Sequence, residues 1–135
     1  MSNNVYIKYN VTLHEYMMHQ YVYDLQIVNV PKIINYDKIT KILTMEKINN
    51  MCLSDMYGDK ETDIDTDLFD KCREIITLLY HNNVEYPDIT GYNFIEYDNK
   101  LWIIDFEHSC KSTTITNKFI NSFIRGKDAW NPDFI

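Results

Sequence analysis

Asp88 and Asn93 stand five residues apart in an irregular stretch, and Asp105 follows at the end of the almost continuously apolar run Leu101-Trp-Ile-Ile. Two carboxylates and a side-chain amide in this arrangement suit phosphoryl transfer. That chemistry needs one carboxylate to orient the acceptor hydroxyl. It needs a second carboxylate, with an amide oxygen, to hold Mg2+ against the phosphates. The segment between the two groups reads as a hairpin, with strands at Phe94 to Tyr97 and Leu101 to Ile104 around a turn at Asp98–Asn99. Such a hairpin returns Asp105 to the side of Asn93.

Other elements must hold these groups. Val5 to Tyr9 is β-favouring throughout and reads as a short strand. Asn10 or Thr12 can cap the helix that follows, and Glu15 comes three residues after Thr12, a capping-box spacing. Leu13, Met17, Tyr21, Leu25 and Val28 recur at steps of three and four and form one helical stripe, which must end before Pro31. Ile33 to Tyr36 and Lys41 to Met45 read as two strands around a turn at Asp37–Lys38, Glu46 to Asn50 as a connector, and Leu53 to Tyr57 as a short helix. Gly58 to Asp65 is acidic and polar, hence a loop. Asp67 to Tyr80 is a second long helix with Leu68, Cys72, Ile75, Ile76 and Leu79 on one face. Asn82–Asn83 end it, because Asn accepts the left-handed conformation of a helix stop. Asn117 to Ile124 is expected as a last helix and Arg125 to Ile135 as an irregular tail.

The pattern Asp88-x-x-x-x-Asn93 resembles the catalytic loop of the protein-kinase-like superfamily, and the strand-borne Asp105-Phe106 resembles the start of its magnesium-binding D-F-G motif. Val5-Tyr-Ile-Lys8 is similar to the V-A-I-K strand. Ile42-Leu-Thr-Met-Glu46 resembles the strand leading into the adenine-binding hinge, and Leu79 to Asp88 the end of the long helix running into H-R-D. The resemblance covers residues 5 to 110 and implies an α+β, truncated protein-kinase-like fold in one minimal domain. A small N-terminal sheet with one helix would occupy residues 1–46. A hinge and a reduced helical C-lobe with the catalytic-loop hairpin would occupy 47–135. The resemblance implies ATP and Mg2+ as cofactors. Asp88 would orient the acceptor hydroxyl, and Asn93 and Asp105 would hold magnesium. Lys8 would contact the α/β-phosphates, steadied by Glu15, and Thr44, Met45, Glu46 and Lys47 would form the hinge.

Departures from the pattern shape the expectation. The H-R-D triplet is Tyr86-Pro87-Asp88, so no activation-loop phosphate is expected to be read by an arginine there. Thr90 stands where many Ser/Thr kinases have lysine, which is more like the small atypical kinases of the tRNA-modification complex. Glu107 replaces the D-F-G glycine, as in aminoglycoside and choline kinases. With seven residues ahead of Lys8, neither a glycine-rich loop nor the first two strands are expected. Glu15 also lies a few residues farther from Pro31 than is usual in the family. An ATP- and Mg2+-dependent minimal Ser/Thr-type protein kinase therefore stands beside two alternatives: a pseudokinase acting as a binding or regulatory module, and a small-molecule kinase.

Composition narrows the partners. The net charge of −7 disfavours a broad nucleic-acid footprint, and no apolar run approaches the ~18 residues of a membrane span. Three cysteines without CxxC spacing point to neither a disulfide framework nor a zinc site, and to a cytoplasmic, intracellular setting. The abundance of Asn, Ile, Tyr, Lys and Asp hints at an AT-rich genome, such as that of a large DNA virus, with the host cell as setting. The expected partners are a protein substrate or regulatory partner, or a second copy that completes the nucleotide site as a homodimer. His14 and His19 read as surface or core residues, and Met17, Met18, Met45 and Met56 as core filling.

Overall fold

A computed structural model describes residues 4–135. It begins with strand β1 (Val5–Lys8), helix α1 (Leu13–Leu25), and strands β2 (Ile33–Asp37) and β3 (Ile42–Glu46). The three strands form an antiparallel sheet in the order β1-β3-β2. Side chains alternate along a strand. Leu43 and Met45 therefore share the buried face of central β3, and Thr44 lies on the other face.

Thr12 caps α1, its hydroxyl accepting from the Glu15 N–H at 3.1 Å. The buried face of α1 is not the expected stripe. Leu13 and Met17 are 51% and 56% exposed, whereas Glu15, Met18, His19 and Val22 are buried. Both sets recur at helical spacing. The less apolar set is turned inward because its two polar members find partners there, Glu15 on Lys8 and His19 on the Pro31 carbonyl. Met18 and Met45 fill the core, but Met17 and Met56 are exposed.

Helix α2 (Leu53–Tyr57) and a 3-10 turn at Glu61–Asp63 lead to α3 (Thr66–His81). Leu68, Cys72, Ile75, Ile76 and Leu79 of α3 are all buried. Each of the Leu and Ile side chains contributes about 1.5–3 kcal/mol by leaving water. Asn83, just past the helix, has a φ of 64°. Strands β4 (Val84–Glu85), β5 (Phe94–Tyr97), β6 (Lys100–Ile103) and β7 (Cys110–Lys111) follow, then α4 (Lys118–Ile124). Asp98 and Asn99 are both left-handed, with φ of 57° and 58°, which closes the β5–β6 hairpin in two residues. The loop after α1 ties the sheet to this hairpin. The Asn29 amide donates to Leu101 O at 3.1 Å, and Asn29 O accepts from the Ile103 N–H at 3.0 Å. The tail is not irregular throughout. It buries Trp130 and Asn131 and ends in a 3-10 turn at Pro132–Phe134. No helix among the described residues is long and apolar enough to cross a membrane.

Candidate active site

Two ladders align the Asp88 loop with the Asp105 turn. Strand β4 enters the loop and pairs with β7, which leaves the turn; β5 leaves the loop and pairs with β6, which enters the turn. Two further hydrogen bonds close the space between them. The Ile104 N–H donates to Asn93 O at 3.0 Å, and the Tyr86 hydroxyl donates to Ile104 O at 2.6 Å. The hairpin thus brings Asn93 and Asp105 together.

Phe106 is fully buried between His19 and Tyr86, with ring centroids 5.2 and 5.6 Å away. With Phe106 anchored in the core, the Asp105 carboxylate is aimed into a cleft. Asp105 has a φ of 67°, a left-handed conformation that costs an ordinary residue about 1–2 kcal/mol. Its Oδ1 accepts from the Glu107 N–H at 3.3 Å, the local bond that lets Asp occupy such a turn.

Lys8 reaches the same place from β1. Its Nζ lies 2.6 Å from Glu15 Oε2 and 3.5 Å from Asp105 Oδ1. Burial alone would lower the Lys8 pKa, but the hydrogen bond to Glu15 and the charge of Asp105 outweigh it and raise it above the ordinary 10.5. Lys8 is therefore a fixed cation. On the opposite side, the Asn93 amide donates to Asp88 O at 2.9 Å, which fixes the rotation of the Asn93 side chain. Burial pushes the Asp88 carboxyl up. The Asn93 amide opposes that shift, while the charges of Asp105 and Glu107 add to it, and the pKa ends above the usual 3.8.

Lys8, Glu15, Asn93 and Asp105 line one cleft of about 510 Å³, within the range of small-ligand sites. Met45, Ile48, Ile95 and Ile104 give it apolar walls, and Tyr6, two residues before Lys8 on β1, faces it as well. Asp88 stands outside this lining and joins it through Asn93. Of the expected hinge, Met45, Glu46 and Lys47 line the cleft, and Thr44 does not. The amides of Glu46 and Lys47 already donate, each at 2.9 Å, to Lys32 O and Asn4 O. The lining continues along the connector to Ile48, Asn50 and Met51. A larger groove of about 660 Å³ between α3 and the β5–β6 turn holds none of these charged groups of the cleft.

The donor set fits Mg2+. Asp105 and Asn93 offer a carboxylate and an amide oxygen, hard donors of the kind that hold this ion together with phosphate oxygens and water. Among the described residues no three His, Cys, Asp or Glu side chains cluster as an all-protein metal cage. Sequence reasoning missed several residues that shape the site. His19 was visible in principle, four residues after Glu15 and hence on the same helical face; its Nε2–H donates to Pro31 O at 2.7 Å, and burial holds its pKa below 6.5. Tyr6 was visible by strand alternation from Lys8. Tyr86 and Asn131 act through tertiary contacts that no local pattern announces.

Comparison with known proteins bears on the family and the fold. A family model described as the RIO domain matches residues 1–122. Among solved structures, the chain is similar to the Cydia pomonella granulovirus kinase PK-1, with a TM-score of 0.55 and 18% identity. The alignment covers 82% of this chain and 44% of that one, so the chain spans less than half of that kinase's length. At such identity the likeness concerns the fold, and the fold is the kinase-like α+β arrangement expected from the sequence. No curated protein matches.

Proposed function

The chain belongs to the RIO domain family, a protein-kinase-like family of atypical kinases, and we propose that it is an ATP- and Mg2+-dependent phosphotransferase acting on a protein hydroxyl. The observation that carries this reading is the convergence of Lys8, Glu15, Asn93 and Asp105 on one cleft. Lys8, kept cationic by Glu15, binds the α/β-phosphates. Asn93 and Asp105 hold Mg2+, which when bound neutralises charge on the phosphates. Asp88 orients the acceptor hydroxyl and takes its proton, and its raised pKa makes it the better base. Met45, Ile48 and Ile95 give the adenine ring an apolar seat, with hydrogen bonds from the connector after Lys47.

The test is thermal stability with millimolar Mg·ATP. Binding must raise stability by mass action, by about 2.7 kcal/mol at a hundredfold excess over Kd. The shift should require Mg2+ and disappear in Asp105→Asn. No shift in the wild-type chain would sink the reading.

A second reading, a nucleotide-binding regulatory module without turnover, is favoured by the position of Asp88 outside the cleft lining. An Asp88→Asn variant that keeps the biological phenotype, beside an Asp105→Asn variant that loses it, would select this alternative.

A further inference from the structure

Residues 130–134 lie beyond the segment matched by the family model and grip the Asp88 loop from behind. Asn131 is 2% exposed. Its backbone N–H donates to Ile89 O at 2.9 Å, and its side-chain amide donates to Pro87 O at 2.8 Å. Those carbonyls flank Asp88. The carbonyl between them, that of Asp88, takes the Asn93 amide. Two asparagines therefore hold three consecutive carbonyls.

Asn131 is itself fixed. Its Oδ1 accepts from the Asp133 N–H at 3.1 Å, and its carbonyl accepts from the Phe134 N–H at 3.2 Å. The neighbouring Trp130 ring is buried against Phe69, centroids 4.7 Å apart, and Phe94, 6.2 Å apart. A Cβ on Gly91 would meet Trp130 Cζ2 at 3.3 Å, so the loop passes directly over this ring. The tail thus touches the loop at Pro87, Ile89 and Gly91. It also reaches the Asp105 side, where Phe134 packs on His108 with centroids 5.1 Å apart.

A carboxylate that orients a hydroxyl must be held to a fraction of an ångström, and an irregular loop does not do this alone. We propose that Asn131 is a positioning residue that holds the backbone on both sides of Asp88 and so aims its carboxylate, without touching a reacting group. The consequence for turnover rests on the phosphotransferase reading; the hold on the loop does not.

The test uses the full chain with Asn131→Asp and Asn131→Ala. The first keeps the side-chain shape and the oxygen that caps Asp133, and loses the donor to Pro87 O. Turnover of Mg·ATP is measured beside hydrogen exchange over residues 86–94, with exchange across α3 as the control for global folding. Turnover should fall by about tenfold or more, with KM for Mg·ATP within about twofold of wild type. Exchange over 86–94 should accelerate while α3 stays protected. The turnover of N131D relative to wild type should rise as pH falls, because a protonated carboxyl can donate to Pro87 O, and that of N131A should not. Wild-type turnover and exchange in both variants would overturn the proposal. Exchange accelerated equally in α3 would also overturn it, since that marks general destabilisation. If the wild-type chain binds Mg·ATP but turns nothing over, the phosphotransferase reading fails, and the exchange data alone still decide whether Asn131 holds the loop.

Discussion

Lys8 Nζ lies 2.6 Å from Glu15 Oε2, with the Glu15 side chain 4% exposed and that of Lys8 29% exposed. The pair is lopsided. The anion is buried, and the cation keeps access to water and to a second anion, Asp105 at 3.5 Å. Removing one partner is therefore not equivalent to removing the other.

Lys8→Met leaves a buried carboxylate unpaired and should cost about 3 kcal/mol or more. Glu15→Gln keeps a hydrogen-bond acceptor and leaves Lys8 with Asp105, and should cost about 1 kcal/mol. Thermal melting at pH 7 should rank wild type above Glu15→Gln and Glu15→Gln above Lys8→Met. Both substitutions should weaken Mg·ATP binding. The reverse ranking would mean that Glu15 is less buried in solution than in the structure.

The raised Asp88 pKa sets the direction of a pH effect. A base acts when deprotonated, so kcat/KM should fall as pH falls through the folded pKa, and the acid limb should lie above 3.8. Burial is the main cause, and the nearby Glu107 charge adds to it. Glu107→Gln removes that charge and should move the limb to lower pH, with little effect on folding because Glu107 is exposed. A pH–rate profile checks this, and an unmoved limb would assign it to another group.

Local rules made part of this structure legible beforehand. The α3 face, the short helix at Leu53–Tyr57 and the hairpin turn at Asp98–Asn99 follow from helical periodicity and from residues that tolerate positive φ. The Asp88, Asn93 and Asp105 spacing was legible for the same reason, since one hairpin joins its two halves. The inward face of α1 was not, because two stripes compete at the same period and long-range partners for Glu15 and His19 decide between them. Thr44 stands apart from the rest of the expected hinge: it is on the face of β3 opposite Leu43 and Met45 and is not part of the cleft lining. Asn131 was invisible because it reaches Pro87 across 44 residues, and nothing near it in sequence marks the contact.

Gly91 offers a test of the packing behind the Asp88 loop. A Cβ there would clash with Ser54 Oγ and lie 3.3 Å from both Ser54 N and Trp130 Cζ2. Gly91→Ala should therefore destabilise the chain by about 1–3 kcal/mol and weaken Mg2+-dependent nucleotide binding by shifting Asn93. Ser54 Oγ is buried with no hydrogen-bond partner among the described residues, so Ser54→Ala alone should be close to neutral. Combined with Gly91→Ala it removes the nearest clash and should recover part of the loss. Urea unfolding of the four proteins closes the cycle, and strictly additive effects would show that the two sites do not meet.

His19 links acid stability to the site. Burial holds its pKa below 6.5, the Pro31 carbonyl opposes that shift, and the charge of Lys8 adds to it. The unfolded chain binds this proton from pH 6.5 downward, while the folded chain resists it to lower pH. The stability tied to neutral His19 is therefore complete above pH 6.5 and is lost as pH falls toward the folded pKa. The slope is at most about 1.4 kcal/mol per pH unit for one proton. His19→Gln keeps an N–H donor for Pro31 O and cannot titrate, so urea midpoints between pH 7.5 and 5.5 should fall less steeply than in wild type. Equal slopes would assign the loss to another group. Because the His19 ring packs on Phe106, and buried Phe106 aims Asp105, charging the ring should loosen that carboxylate as well. Stabilisation by Mg·ATP should then shrink at the lower pH where the folded chain takes up that proton, below the onset of the stability loss, and should persist in His19→Gln.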